Sequence, residues 1–265
     1  MEIRAIDCHA HVMRRDWPLA PDRHSGPQRD VTVDEYLGVL DAHGFTHGVL
    51  TAPSFYGSDN RILLDALATQ RDRLRGTAIV DPDVAPETLA AMDAGGVVGI
   101  RLNWIRRAAL PDVAGDGYRR LLANVRAQDW QVEIYLEGPK LAHVLPRLRD
   151  AGVRVVVDHF GAPDPAQGVQ CAGFREVLRG VAAGDTYVKL SAPYRQGGRP
   201  VQPYVDALLA AGPGQLVWAS DWPFVGREDT VTYDECVDAM ARWLPDAAVR
   251  RQVLVDTPAK LFRFA

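Results

Sequence analysis

Long apolar runs are missing from this sequence, and with them the simplest route into a membrane. No uninterrupted apolar stretch reaches the roughly 18 residues that a spanning helix requires. The N-terminus, Met1-Glu-Ile-Arg-Ala-Ile6, enters a strand-like pattern at once, without the basic segment and apolar core of a secretory signal. Cysteine is scarce: Cys8, Cys171 and Cys236 are scattered, form no CxxC pair and are too few for a disulfide framework. That usage points to a reducing, cytoplasmic compartment. Basic tracts are also lacking, since 30 lysines and arginines are mixed with 34 acids for a net charge of −4, and nucleic acid is not an expected partner. No glycine-rich dinucleotide fingerprint follows the first strand-like run, where the residues read His9-Ala-His-Val-Met-Arg-Arg15.

What the sequence does contain is alternation. Eight short runs rich in Val, Ile, Leu and Tyr fall near 3–12, 47–53, 76–81, 97–104, 130–137, 153–160, 186–192 and 215–222. Between and after them, helical spacing of apolar residues covers 33–43, 59–71, 85–94, 117–129, 139–151, 171–183, 201–211 and 228–243, with a last short helix near 256–262. Eight strand–helix units predict parallel pairing through right-handed crossovers, and eight parallel strands most readily close into a (β/α)₈ TIM barrel. A chain of 265 residues suits one such barrel, which takes about 250, as a single domain over 1–265. The alternative, an open doubly wound sheet, would call for the missing fingerprint. The proline-bearing segment 13–32 reads as a loop over the barrel mouth.

Residues two apart on a strand share a face. Parity therefore puts Asp7, His9 and His11 together, opposite Ile6, Cys8, Ala10 and Val12; it pairs Arg101 with Asn103, and Gln131 and Glu133 with Tyr135 and Glu137. Polar groups inside a barrel are costly unless they are paired or used, and late strand positions are where barrels carry their chemistry. His9, His11, Arg101, Asn103, Tyr135, Glu137, His159, Arg195 and Asp221 all lie late in a run or just beyond one. Other polar residues read more plainly. Asp158 and His159 fall on opposite faces, so one of them is expected in the site and the other behind it. Lys189, in mid-strand, reads as a buried partner of Glu133 or another acid; Cys8 reads as inert under the helices. His24, His43, His47 and His143 read as surface residues, although His24 lies in the mouth loop. Trp104 and Trp222 are candidates to line a pocket.

Asp7-x-His9-x-His11 on the first strand, Val-Asp-His159 on the sixth and Ser-Asp221-Trp-Pro on the eighth together resemble the amidohydrolase superfamily, in its amidohydrolase-related branch. Further segments look like those of the 2-pyrone-4,6-dicarboxylate lactonases: Ala20-Pro-Asp-Arg23, Gly57-Ser-Asp-Asn-Arg61, Arg101-Leu-Asn-Trp with Arg107, Tyr135-Leu-Glu137, Asp158-His-Phe-Gly161 and Pro193-Tyr-Arg195. The resemblance implies a hydrolase in which Asp221 deprotonates water while His9, His11 and His159 orient the reacting groups. It also implies that Arg101, Arg107 and Arg195, with Tyr135, Asn103 and Tyr56, hold a small anionic lactone, a task suited to bidentate guanidinium bonding. Ser25, Tyr56 and Ala162 depart from the lactonase pattern, which implies a lactone with fewer carboxylates or with sugar-acid hydroxyls.

Binuclear relatives need a lysine or glutamate from the fourth strand and a histidine from the fifth, where this chain has Arg101, Asn103, Tyr135 and Glu137. The expectation is hydrolysis with no cofactor. A single divalent ion such as Zn²⁺ on His9, His11, His159 and Asp221 is the alternative. Two other activities resemble relatives on this fold: metal-dependent decarboxylation of an aromatic or muconate acid, and lactone isomerisation. A non-catalytic binding protein gives no reason to retain Asp221 beside three strand-end histidines. Nothing in the sequence points to an oligomeric state.

Overall fold

The computed structural model describes residues 1–21 and 23–264. Eight strands alternate with eight helices: β1 Ile6–Ala10, α1 Val33–Ala42, β2 His47–Thr51, α2 Arg61–Thr69, β3 Leu74–Ala78, α3 Pro86–Ala94, β4 Val97–Asn103, α4 Asp116–Ala127, β5 Gln131–Tyr135, α5 Gly138–Asp150, β6 Arg154–Val157, α6 Ala172–Ala183, β7 Thr186–Leu190, α7 Gln202–Ala211, β8 Leu216–Trp218 and α8 Tyr233–Trp243. The strands pair in parallel in the order β1 to β8. The sheet closes on itself beyond β8, where Asp221 N donates to His9 O at 3.0 Å and His11 N to Trp222 O at 2.9 Å. The expected (β/α)₈ barrel is therefore present. No described helix is long and apolar enough to cross a membrane.

Helix starts follow capping chemistry more closely than hydrophobic spacing. The expected helix at 228–243 begins only at Tyr233, because Thr232 accepts a bond from Glu235 N and the Glu235 carboxylate accepts one from Thr232 N. Such a box satisfies two otherwise orphaned donors. The tail forms α9 Ala247–Arg251, a π turn Gln252–Asp256 and α10 Thr257–Leu261. Beyond it, Phe262 and Phe264 pack with Ile6, Val49, Val98, Val156 and Val217 inside the barrel, across the N-terminal ends of the strands. The larger apolar cluster lies between the sheet and the helices. The site is thus confined to the C-terminal mouth.

One expectation of parity fails on β1. The pairing Asp7↔Gly48 is followed by Ala10↔Leu50, so β1 carries one extra residue in a bulge. Before the bulge Cys8 points into the barrel, in the inner cluster with Val49 and Val217, rather than under the helices. Asp7 faces the helix layer instead, where it accepts bonds from Ser220 N (2.9 Å), Ser220 Oγ (2.6 Å) and Tyr233 OH (3.1 Å). Burial raises its pKa to about 6, against the pull of those bonds. After the bulge, His9 and His11 enter the mouth as expected.

The α5–α6 contact depends on a missing side chain. A Cβ on Gly173 would fall 1.7 Å from the carbonyl oxygen of Gly138, a backbone atom that cannot swing away. Gly173→Ala is expected to cost about 3 kcal/mol, at the upper end for overpacking, read as a lower urea midpoint at unchanged slope.

Candidate active site

Strand ends and the turns after them deliver the polar side chains. β1 supplies His9 and His11, β4 Arg101 and Asn103, β5 Tyr135, and the residues after β6, β7 and β8 supply His159, Tyr194 with Arg195, and Asp221. The turns after β6, β7 and β8 all hold non-glycine residues at positive φ: His159 at 50° with Phe160 at 58°, Ala192 at 48°, and Asp221 at 66°. Such conformations cost on the order of 1–3 kcal/mol each and persist where the surroundings enforce them. The turn at His159 also overturns the expectation that Asp158 and His159 face opposite ways. The strand ends at Val157, and both side chains reach the interior, Asp158 beneath His9 and His159 at the cavity.

Asp221 is the centre of the arrangement. Its Oδ1 lies 3.6 Å from His9 Nε2, 3.8 Å from His11 Nε2 and 3.8 Å from His159 Nε2. Its Oδ2 accepts bonds from Arg195 Nε and Tyr194 OH, both at 2.7 Å. Burial alone would raise this carboxyl, but Arg195 and the surrounding imidazoles outweigh it and hold the pKa well below the ordinary carboxylate range. Burial lowers His159 to about 4, and burial with the adjacent Lys189 cation holds His9 well below the usual imidazole value. Asp221 is an anion and both of these histidines are neutral near pH 7.

Hydrogen bonding sets the tautomers. His11 Nδ1 is 2.7 Å from the Thr51 carbonyl, which can only accept, so Nδ1 carries the proton and Nε2 a lone pair. His9 Nε2 lies 3.3 Å from that lone pair and is the donor of the pair. His9 Nδ1 accepts in turn from Lys189 Nζ at 2.9 Å. The chain runs from Lys189 through His9 and His11 to the Thr51 carbonyl, and the Nε2–H of neutral His9 is the donor within it, 3.6 Å from Asp221 Oδ1.

Beneath the histidines lies a buried charge cluster. Lys189 Nζ is 2.5 Å from Glu133 Oε2 and 3.3 Å from Asp158 Oδ1, as its mid-strand position suggested. Arg101 reaches Asp158 Oδ2 at 3.1 Å and Glu133 Oε1 at 3.2 Å, and donates to Ala52 O. Burial and the neighbouring Asp158 raise Glu133 to about 7, while in Asp158 the cations and His9 overcome burial and keep the carboxyl well below its usual value. Asp158 holds its charge, and Glu133 takes up a proton first.

Above the centre opens a cavity of about 490 Å³. It is lined by His11, His159, Asp221, Arg101, Asn103, Tyr135 and Arg195 among the expected residues. His9 lies just beneath its floor, fully buried. Two expected substrate-binding residues are elsewhere. The Tyr56 hydroxyl is consumed by the backbone of Arg14, accepting from its N–H at 2.8 Å and donating to its carbonyl at 2.7 Å. Arg107 is exposed outside the cavity wall, while its neighbour Arg106, at φ 63°, lines it. Glu137 faces away and accepts a bond from Arg106 N. Trp104 packs edge-on against Tyr118, and Trp222 stacks on Tyr36. His24 and Ser25 of the mouth loop do reach the cavity, as do Tyr194, Arg106 and Arg227, which no strand pattern could reveal. Asp22, within the quoted Ala20–Arg23 segment, lies outside the described residues.

The amidohydrolase family model matches residues 6–264. The chain belongs to the amidohydrolase family. Among solved structures this amidohydrolase is similar to a protein of Pseudomonas putida assigned by name to the 2-pyrone-4,6-dicarboxylic acid hydrolases (39% identity, TM-score 0.92, covering 100% of this chain and 99% of that one). A protein of the same designation from Acinetobacter baumannii, solved with citric acid bound, is 31% identical with a TM-score of 0.91 (99% and 100% covered). The 4-sulfomuconolactone hydrolase of Rhizobium radiobacter is 29% identical over 97% of this chain and 89% of its own. The family and the site together make this chain a hydrolase.

The donor set fits one divalent ion. The Nε2 atoms of His9 and His159 and a carboxylate oxygen of Asp221 lie within 4.8 Å of one another, and His11 Nε2 is beside them. The ligating tautomer of His9 needs an acceptor for its Nδ1 proton. Asp158 Oδ1, buried, without a hydrogen bond and 3.3 Å away, is that acceptor. A second cluster, His9 with Glu133 and Asp158, is already neutralised by Lys189 and Arg101.

Removing Lys189 leaves two buried carboxylates facing one cation. Lys189→Met is expected to destabilise the amidohydrolase by about 3–5 kcal/mol, the usual cost of breaking a buried pair. A carboxyl whose folded pKa is raised contributes stability below its unfolded value of 4.5 and loses it as pH rises through about 7. The deficit of Lys189→Met in chemical denaturation should therefore be larger at pH 8 than at pH 5.

Proposed function

We propose that this amidohydrolase opens a small anionic lactone by adding water activated by Asp221, with no metal taking part. The observation that carries the reading is the division of labour on one carboxylate. Oδ2 is tied to Arg195 and Tyr194, so Oδ1 is fixed and ionised at the cavity floor among three imidazole Nε2 atoms. Water held at Oδ1 gives its proton to Asp221 as its oxygen bonds to the lactone carbonyl carbon. The ring C–O bond then breaks, and the proton passes to the departing oxygen, leaving a hydroxy acid and the Asp221 carboxylate. Positioned bases of this kind contribute about 10²–10⁴-fold.

To polarise the carbonyl, neutral His9 turns its Nε2–H from His11 Nε2 to the oxyanion that develops there, a role that suits an imidazole whose pKa is depressed. The Lys189 ammonium on His9 Nδ1 maintains this donor and disfavours a cation at Nε2, which supports the metal-free route. Were an ion bound, His9, His11, His159 and Asp221 would hold it, and it would supply Lewis acidity at the carbonyl. Asn103 Oδ1, buried with no partner, suits a hydroxyl donor on the substrate. The names of the relatives, hydrolases of a pyrone dicarboxylate and of a sulfomuconolactone, support a lactone with anionic substituents.

A panel of carboxylated lactones, offered to chelator-dialysed protein with its metal content determined, tests the reading. Turnover should survive dialysis and fall by about 10²–10⁴-fold in Asp221→Asn; activity returning only with added Zn²⁺ or Mn²⁺ would overturn the metal-free route. The pH profile gives a second check. Hydrolysis should be level from pH 6 to 8 and decline only as pH falls toward about 4, where His159 takes up a proton. A midpoint near the ordinary imidazole value of 6.5 would contradict a buried, neutral His159.

A further inference from the structure

The segment that follows β7 holds two of the central groups at once. From Ser191 to Gln196 it carries four hydrogen-bonding side chains, and each of them reaches either His159 or Asp221. Tyr194 OH and Arg195 Nε donate to Asp221 Oδ2. Ser191 Oγ lies 2.8 Å from His159 Nδ1, and Gln196 Nε2 donates to the His159 carbonyl at 2.9 Å. Ser191 and Gln196 are both buried, and the reaction outlined above uses neither. Gln196 steadies the backbone of a residue held at φ 50°. Control of the ring itself falls to Ser191.

A serine hydroxyl has one proton to give. Its two acceptors here are His159 Nδ1 at 2.8 Å and the Lys189 carbonyl at 3.5 Å, the second at the outer limit of a hydrogen bond. Given to Lys189, the proton would leave Ser191 accepting from Nδ1–H, and His159 Nε2 would turn a lone pair toward the ionised Asp221 Oδ1, 3.8 Å away. The corresponding lone pair of His11 is covered by His9 Nε2–H. Among the described residues no hydrogen bond covers Nε2 of His159. Given to Nδ1, the proton makes the shorter bond and leaves Nε2–H facing the anion. The 3.8 Å gap is too long for a direct bond, so an oxygen beside both groups can bond to each.

We infer that Ser191 is a positioning residue: by donating to Nδ1 it fixes the His159 ring with Nε2–H presented beside Asp221 Oδ1. The ring state follows from the contacts around it, whereas its use in turnover rests on the lactonase reading. A donor fixed in this way needs no reorganisation as charge develops on a neighbouring oxygen. Ser191 touches no reacting atom itself and acts through the imidazole.

Ring states are read directly by long-range proton–nitrogen correlation NMR on chelator-dialysed protein with isotope-labelled histidine near neutral pH. The His159 signals are assigned by their loss in His159→Asn. Wild type should show a pyridine-like Nδ1 and a pyrrole-like Nε2 for His159. Ser191→Ala should move the Nδ1 signal toward that of an unbonded pyridine-like nitrogen. On a lactone that is turned over, it should lower kcat about fivefold with KM nearly unchanged, the order of one neutral hydrogen bond. A pyrrole-like Nδ1 in wild type overturns the inference before any serine variant is made. An Nδ1 signal that does not move in Ser191→Ala overturns it as well, and so does an unchanged kcat. If wild type turns over no lactone while the nitrogen signals behave as expected, the positioning of His159 stands and the lactonase reading fails.

Discussion

Two carboxylates and two cations buried inside a barrel are the constraint around which this structure is arranged. Glu133 and Asp158 could not be ionised there alone, since desolvating a charge costs several kcal/mol. Lys189 from β7 and Arg101 from β4 reach both of them, and the four groups tie β4, β5, β6 and β7 together across the interior. His9 from β1 rests on this cluster, with its Nδ1 against Lys189, Asp158 and Glu133. This buried, charged floor fixes the ring whose Nε2 lies 3.6 Å from Asp221 Oδ1.

The two halves of the site divide the electrostatic work. The floor is buried and balanced, and its effect is to set a tautomer. The centre above it is an anion, Asp221, whose partner Arg195 approaches from one side and leaves the other oxygen to the histidines. Strain is placed at the turns that make this possible, since His159 and Asp221 both adopt left-handed backbone conformations directly after their strands. Farther out, Arg106 and Arg227 line the mouth, and neither guanidinium has an ion pair or hydrogen bond among the described residues.

Much of this was legible in residue order. Alternation of short β-rich runs with helical spacing is a local pattern that needs no tertiary contact, and it led directly to eight strands, eight helices and a barrel. Parity placed Arg101, Asn103, Gln131, Glu133 and Tyr135 on the inner face because β4 and β5 run regularly through those positions. The same rule misplaced Asp7 and Cys8, since a one-residue bulge between Asp7 and Ala10 reverses the alternation. It also separated Asp158 from His159, since the strand stops before either. Bulges and turns depend on what the neighbouring strand demands, and a single strand's sequence does not record that.

The sequence by itself determined the barrel, the strand-end histidines and aspartate, and the buried role of Lys189, because periodicity and the cost of burying charge are properties of local order. Tertiary structure alone decided that Arg106 rather than Arg107 reaches the cavity, that Tyr56 is consumed by the Arg14 backbone, and that Arg195 holds Asp221. Each of these depends on side chains meeting across loops distant in sequence, where the direction of a guanidinium or hydroxyl is set by backbone dihedrals and competing partners.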